Sequence, residues 1–294
     1  MTTLQNKIDF AVIFRVKNAN PNGDPLNGNR PRTDYSGLGE ITDVCQKRKM
    51  RDRLQEDGKS IFVQSDEKKT DGMPSLRARA ESKEFGLGPD AFAFKKNDKN
   101  ANVKKDETAR KACDKWFDVR AFGQVFAFGK QEIPDADGVS IPIRGPVTIQ
   151  SAFSIEPVSV TPTQITKSVS GEGDGSKRGS DTMGMKHRVD QGIYVTYGSI
   201  NPQLAERTGF TDEDAAAIKA VLPRLFENDA SSARPEGSME VLKVIWWEHG
   251  SKSGSCSSAK VHARLREQGI GPNGEIDEPS LAICGIVPQV IEGF

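Results

Sequence analysis

Residues 20–25 read Asn20-Pro21-Asn22-Gly23-Asp24-Pro25 and stand between an apolar run at 8–16 (IDFAVIFRV) and a dense basic stretch at 47–53. Few local features constrain a chain more. Proline fixes φ, glycine admits φ > 0, and Asn/Asp side chains bond nearby backbone, so this loop holds one shape. The apolar run is rich in β-branched and aromatic residues and reads as a buried strand. Beyond the loop, Thr42 or Asp43 caps a helix running to about Gln55, which Gly58 stops. The chain therefore begins strand, rigid loop, helix. The helix carries five cations in seven residues, Lys47, Arg48, Lys49, Arg51 and Arg53, with Asp52 among them. At 3.6 residues per turn Lys47, Arg48 and Arg51 fall on one stripe. An ordered loop carrying Asn20, Asn22, Arg30 and Arg32 beside such a helix suits a phosphate chain held in fixed register.

Composition permits that reading without demanding it. Of the 294 residues, 35% are hydrophobic and 28% charged, which fits a modest core under much polar surface. Formal net charge is zero, but it is unevenly spread: 32 Lys+Arg against 27 Asp+Glu over residues 1–200, and 4 against 8 over residues 201–240. A dipolar protein with one basic face can hold an anionic polymer at zero net charge. Cys45, Cys113, Cys256 and Cys284 form no CxxC pair and read as thiols in a reducing compartment. The N-terminus lacks a signal-peptide pattern and no apolar run reaches membrane-spanning length, so the expectation is a cytoplasmic protein with no membrane partner.

Further along, residues 64–112 are polar and broken by Gly and Pro, and read as an excursion from the core. Strand character returns at 117–128 and in a long run at 146–160. Residues 161–190 read as a hairpin arm with a basic, Gly-rich tip, and 191–200 as a strand. Thr211 caps a helix from Asp212 to about Phe226, with acids in its first turn. Residues 239–247 form a strand, with one of Trp246 and Trp247 in the core and the other at a subunit contact; a polar segment, 249–259, and a strand-like tail, 279–291, follow. This order suits an α+β, split βαβ, ferredoxin-like core with two insertions, the layout of RNA-recognition folds.

Sites for chemistry are sparse. The Gly171–Ser180 stretch fails the Walker spacing and the acids around it do not match a calcium loop. His187, His249 and His262 have no metal-ligand spacing, and no cofactor is expected. Met183 and Met185 can wedge between bases while Lys186 and His187 touch phosphate or stack, or the methionines pack at the arm's base. Arg144 in Arg144-Gly145-Pro146 is a basic turn suited to a backbone contact. Asp24, Asp34 and Asp43 leave open a second reading, an endoribonuclease with a carboxylate-held metal or His187 as general base. A third is a single-strand binder that does not polymerise.

The same residues resemble a known family. Asn20–Pro25, Pro31-Arg32-x-Asp34, Thr42–Cys45 running into Lys47–Arg51, Asp118-Val-Arg120-x-Phe122-Gly123, Arg144–Val147, Met183-Gly184-x-Lys186-His187, Gly192-x-Tyr194-Val195, Thr208–Phe210 and Phe226 to Arg234 lie in order along most of the chain. They are similar to the Cas-seven family of CRISPR Cascade backbone subunits, with type I-C (the Csd/Csh group) fitting best. The resemblance implies a hand-shaped, non-catalytic protein with an RNA-recognition-like palm, a finger insertion at about 57–116 and a thumb hairpin at about 160–190. It also implies the partners. Copies of the chain would stack as a helical filament on crRNA, beside repeat-handle-binding, large and small subunits, and present the spacer to a target DNA strand in antiviral defence. Basic palm positions, here Lys47, Arg48 and Arg51, would hold the guide with Arg120 and Arg144, and Met183 or Met185 would form the thumb's wedge.

Overall fold

A computed structural model describes residues 2–94, 100–129, 139–169 and 183–294. The chain opens with β1 (Ile8–Ala19), β2 (Gly23–Asp24), β3 (Arg30–Pro31), β4 (Leu38–Ile41) and the helix α1 (Asp43–Glu56). It continues through α2 (Leu76–Glu81), α3 (Ala101–Lys115), α4 (Phe117–Phe122), β5 (Gly123–Phe128), β6 (Val139–Arg144), β7 (Val147–Ile149), β8 (Ala152–Pro157) and β9 (Val160–Thr166). The last elements are β10 (Met183–Ile200), α5 (Pro202–Thr208), α6 (Asp212–Val221), β11 (Met239–Glu248), α7 (Ser258–Gln268) and β12 (Gln289–Glu292). The architecture is mixed α/β around a mainly antiparallel sheet ordered β12-β11-β1-β10-β8-β4, with β7 and β9 also pairing β10.

β1 lies at the centre and is apolar throughout because helices cover both of its faces. Phe10, Val12, Phe14 and Val16 point into the larger core with Met50 and Leu54 of α1, Phe117 and Ala121 of α4, and Ile218 and Val221 of α6. Ala11 and Ile13 point the other way, toward Trp247, Ile245, and Val261 and Leu265 of α7. Period-two alternation thus divides one strand between two cores. α1 begins as its sequence dictates, with the Thr42 side chain accepting from the Cys45 amide; just beyond its end, Gly58 takes φ 80°.

Several expectations are corrected. Residues 64–112 are not a coreless excursion: Phe62, Phe92, Phe94, Trp116, Phe126 and Ile141 bury together in a third apolar cluster. Aromatic residues spaced too widely for local periodicity meet only through the fold. Residues 117–122 form a helix rather than a strand, ended by Gly123 at φ 81°, and β5 pairs β6 in a separate two-stranded sheet. The run 146–160 divides into β7, β8 and the start of β9. Trp246 and Trp247 are both buried, on opposite faces, because α7 covers the second face. α6 stops at Val221, and a 3-10 turn carrying Pro223 follows. The tail holds a short strand, β12, only at 289–292. The Gly-rich tip of the arm, 171–180, lies outside the described residues. Among the described residues no helix is long and apolar enough to cross a membrane.

Candidate nucleic-acid interface

The turn-rich loop is tied down at both ends. The Asn20 amide donates to the Ala233 carbonyl at 2.9 Å, and its Nδ2 donates to the Asn29 carbonyl at 2.7 Å. Asn22 Oδ1 accepts from both the amide and the hydroxyl of Thr42 at 3.0 Å, joining the loop to the capping residue of α1. The Asp24 carbonyl accepts from the Asn27 and Asn29 amides, and its carboxylate accepts from the Leu26 amide and pairs with Arg32. A Cβ at Gly23 would stand 2.0 Å from Asn29 Oδ1, so a larger residue there would make the Asn29 side chain move. Asn20 and Asn22 therefore build the loop rather than extend from it. Arg30, at its edge, is exposed and has no partner among the described residues.

The expected basic stripe on α1 has a different character from the one its spacing suggests. Lys47 pairs with Asp43 at 3.1 Å, Arg48 with Asp52 at 3.0 Å and the Val63 carbonyl at 2.6 Å, and Arg51 with Asp118 at 2.9 Å. Arg53 forks onto Glu56, and Lys49 meets Asp229 under the Phe226 ring. Three of the five cations pair with carboxylates of α1 itself, and the other two, Lys49 and Arg51, meet carboxylates brought by other elements and invisible in the local sequence. Arg51 is 12% exposed and also lies over Phe122, so it belongs to the interior. Burial pushes the Arg48 guanidinium and the Lys49 ammonium below their ordinary values although Asp52 and Asp229 act the other way. Lys47 and Arg48 remain about a quarter exposed.

Arg120 is likewise internal. It forks onto Asp214 with both bonds at 2.8 Å and donates to the Cys113 carbonyl at 2.6 Å. The bonds to Asp214 raise its pKa, while burial acts to lower it. Asp214 also completes the capping box of α6 with Thr211, so the pair joins α4 to α6. Arg144 is different. It is exposed at the end of β6, at the rim of an open cleft of about 670 Å³ that Arg110 of α3 and Arg207 of α5 also line. No local pattern marks Arg110 or Arg207, because the three arginines meet only in the fold.

The arm is a continuation of the central sheet. β10 pairs β1 from Ile200 back to Val189, then runs on to Met183 against β9, with Lys186 opposite Thr163 and His187 opposite Pro162. Met183 and Met185 share one face and are 64% and 55% exposed. Lys186 and Arg188 lie on the other face, as strand alternation requires. His187 is buried, and its Nδ1 has no hydrogen-bond partner. β10 also contacts β3, so the loop bearing Arg30 sits beside this strand.

The carboxylates of the ribonuclease reading are occupied. Asp24 is engaged as above, Asp34 accepts from the Ser36 and Leu38 amides, and Asp43 holds Lys47. Among the described residues no group of three or more His, Cys, Asp or Glu could hold a metal ion. His249 bonds Asp9 at 2.8 Å where both are fully buried, far from the arm in the sheet's register.

Comparison with known proteins places this geometry. The chain is 30% identical over 261 residues to the CRISPR-associated protein Cas7 of Haloferax volcanii, covering 85% of this chain and 73% of that protein. Among solved structures it is similar to a chain of a CRISPR RNA-guided surveillance complex in a pre-nicking state, with 18% identity, TM-score 0.46, and coverage of 82% and 75%. It is also similar to a chain of a CRISPR RNA-guided surveillance complex, with 16% identity, TM-score 0.42, and coverage of 82% and 68%. The family model described as CRISPR-associated protein Cas7 matches residues 6–279, nearly the whole chain, and with the 30% identical relative this means that the chain belongs to the Cas7 family.

Proposed function

We propose that this chain is the crRNA-binding backbone subunit of a type I-C Cascade surveillance complex, a ribonucleoprotein that copies of it assemble along a guide. In this reading the palm is RNA-recognition-like. Support comes from β1, β8, β10 and β11, which lie in the order β11-β1-β10-β8 with α1 after β1 and α6 after β10. Residues 57–116 are the finger, whose own apolar cluster makes it a packed unit, and 160–190 the thumb.

The observation that carries the reading is the meeting of loop and arm. Arg30 on its tied loop stands beside β10, and β10 leads out to an exposed Met183/Met185 face backed by Lys186. Cations hold phosphate while apolar side chains separate or stack on bases. The RNA-contacting set is then Arg30, Arg32, Lys47, Arg48, Arg144, Met183, Met185 and Lys186. Asn20, Asn22, Arg51 and Arg120 position it through their internal bonds, and His187 anchors the base of the thumb. Pairing of the guide with target DNA, contact with the repeat-handle, large and small subunits, and a cytoplasmic location belong to the same reading. The occupied carboxylates of Asp24, Asp34 and Asp43 disfavour the endoribonuclease reading.

Binding of labelled single-stranded RNA, followed by anisotropy across a salt series, tests this. Replacing both Arg30 and Lys186 by alanine should weaken binding of unrelated sequences alike. The salt slope should become shallower by about 0.7 for each phosphate that is no longer neutralised. Unchanged affinity and slope in the folded double variant would refute the assignment.

A further inference from the structure

Cys256 and Cys284 are 28 positions apart in the sequence and share no motif. The fold nevertheless brings them together. Cys256 immediately precedes Ser257, the N-cap of α7, and packs half-buried against the apolar cluster formed by α7 and the back of the sheet. Leu281, Ile283 and Ile286, which bracket Cys284, belong to the same cluster. Cys284 itself is exposed. Its thiol lies within interaction range of the Cys256 thiol and acts to raise the pKa there.

The turn that presents Cys284 is specific. Ile283 and Ile286 exchange both backbone hydrogen bonds, at 3.0 and 2.8 Å, across Cys284 at φ 52° and Gly285 at φ 78°. Both central residues have positive φ, the pattern that Asn-Gly or Gly-Gly ordinarily satisfies. A cysteine in that position carries a conformational cost. The backbone thus holds one exposed thiol, in a disfavoured conformation, over the same apolar cluster that a half-buried one packs against.

We propose that Cys256 and Cys284 form a reversible dithiol–disulfide site that responds to peroxides and, when oxidised, staples the N-terminus of α7 to the segment leading into β12. Cys284, the exposed member, reacts first. Its thiolate attacks one oxygen of the peroxide, the O–O bond breaks, and the released hydroxide takes a proton to leave as water, giving a sulfenic acid on Cys284. The Cys256 sulfur, as thiolate, then displaces hydroxide from that sulfenic acid. The S–S bond forms and a second water leaves. Both sulfurs are oxidised by one electron each and one peroxide is reduced to two waters.

The surroundings set the order of events. Burial and the Cys284 thiol push the Cys256 thiol up to about 11, so it is a poor first nucleophile at neutral pH. The Lys7 ammonium acts to lower it and donates to the Cys256 carbonyl at 3.2 Å, a fixed cation beside the sulfur that must ionise in the second step. Cys113, by contrast, is buried and pushed up to about 12 with no thiol neighbour, and Cys45 is likewise raised by burial. Those two should stay reduced.

The test uses the full chain, reduced and then exposed under native conditions to a modest excess of hydrogen peroxide. Remaining thiols are alkylated, and the digest is read by mass spectrometry. The expected product is a peptide pair joined through Cys256 and Cys284, with two of the four thiols consumed and both restored by dithiothreitol. Cys256→Ser should abolish the linked pair and leave a Cys284 sulfenic acid trapped by dimedone. Cys284→Ser should leave Cys256 as a free thiol. The proposal is overturned if the wild-type protein keeps both thiols, if Cys284 passes to sulfinic acid without a linked peptide, or if the link forms equally well in denaturant. None of these readouts depends on RNA binding, so failure here leaves the proposed function standing, and the reverse.

Discussion

Asp118 ties α4 to α1 and to the backbone at Phe62 and Val63, and replacing it with asparagine tests that directly. Its side chain is fully buried and accepts three hydrogen bonds: from the Phe62 amide at 2.7 Å, the Val63 amide at 3.0 Å and Arg51 Nε at 2.9 Å. Asparagine keeps the shape but has one acceptor oxygen. If that oxygen serves Val63 and Arg51, the new amide group faces the Phe62 N–H donor to donor. An unsatisfied buried amide costs about 1–3 kcal/mol. Arg51 loses its counter-charge, and breaking a buried pair from one side costs about 3–5 kcal/mol, toward the lower end here because Arg51 keeps its Phe122 ring and some exposure. These overlap, so the expected loss is about 3–4 kcal/mol, a large share of a total of about 5–15 kcal/mol. Urea denaturation followed by far-UV circular dichroism measures it. Arg51→Met combined with Asp118→Asn should be less destabilised than the sum of the single changes, by at least about 1 kcal/mol. Arg51→Met, once folded, should bind RNA within about twofold of the parent, a difference below about 0.5 kcal/mol. A loss under about 1 kcal/mol in Asp118→Asn, additivity in the cycle, or a tenfold drop in affinity in folded Arg51→Met would each refute the argument.

Met183→Ala with Met185→Ala should lower RNA affinity by about 1.5–3 kcal/mol for each methionine side chain that bases bury, while leaving the salt slope unchanged, which separates apolar from phosphate recognition in the same titration. Gly198→Ala should destabilise the palm by about 1–3 kcal/mol, because its Cβ would stand 2.2 Å from the Phe10 ring in the centre of the sheet; a thermal melt checks it. The Arg79 hydrogen bond holds the Asp71 carboxyl below its ordinary 3.8, so this pair stabilises the finger above pH 3.8 and that contribution is lost as pH falls through the depressed value. Acid titration followed by tryptophan fluorescence should show a transition that Asp71→Asn removes; an identical profile in the variant would count against it.

Local signals read well wherever a single element suffices to explain them. β1, the cap and stop of α1, the Thr211 cap of α6 and β11 were all legible because strand alternation, Thr and Gly placement and turn chemistry are written within a few residues. The start of the arm was legible because β9 and β10 are adjacent strands. What sequence missed is tertiary. α7 was hidden in a polar stretch whose apolar face is only Val261 and Leu265 with a buried His262. Overlooking it placed one of Trp246 and Trp247 at a subunit contact, since a sheet with one covered face would expose every second residue. The third apolar cluster was hidden because Phe62, Phe92, Trp116 and Phe126 come from four separate segments. At the candidate site, charge was legible and its partners were not. Nothing in residues 47–53 reveals that Asp118 and Asp229, far away in the chain, engage Arg51 and Lys49.

That last point changes how a net charge of zero should be understood in this chain. A basic helix is an effective phosphate site only to the extent that its cations are not already neutralised. On α1 each of Lys47, Arg48, Lys49, Arg51 and Arg53 has a carboxylate, so the helix works mainly as a brace, joining the central sheet to α4 and the 226–234 turn. Among the described residues no ion pair engages Arg30, Arg144 or Lys186, which lie on a tied loop, a strand end and the β9–β10 arm. All three are anchored by backbone hydrogen bonding rather than by long flexible helix side chains alone. An anionic strand meeting them would encounter charge that is both unneutralised and fixed in position. Uniform spacing along a repeated filament requires such fixed contacts, since a contact free to move cannot set a register.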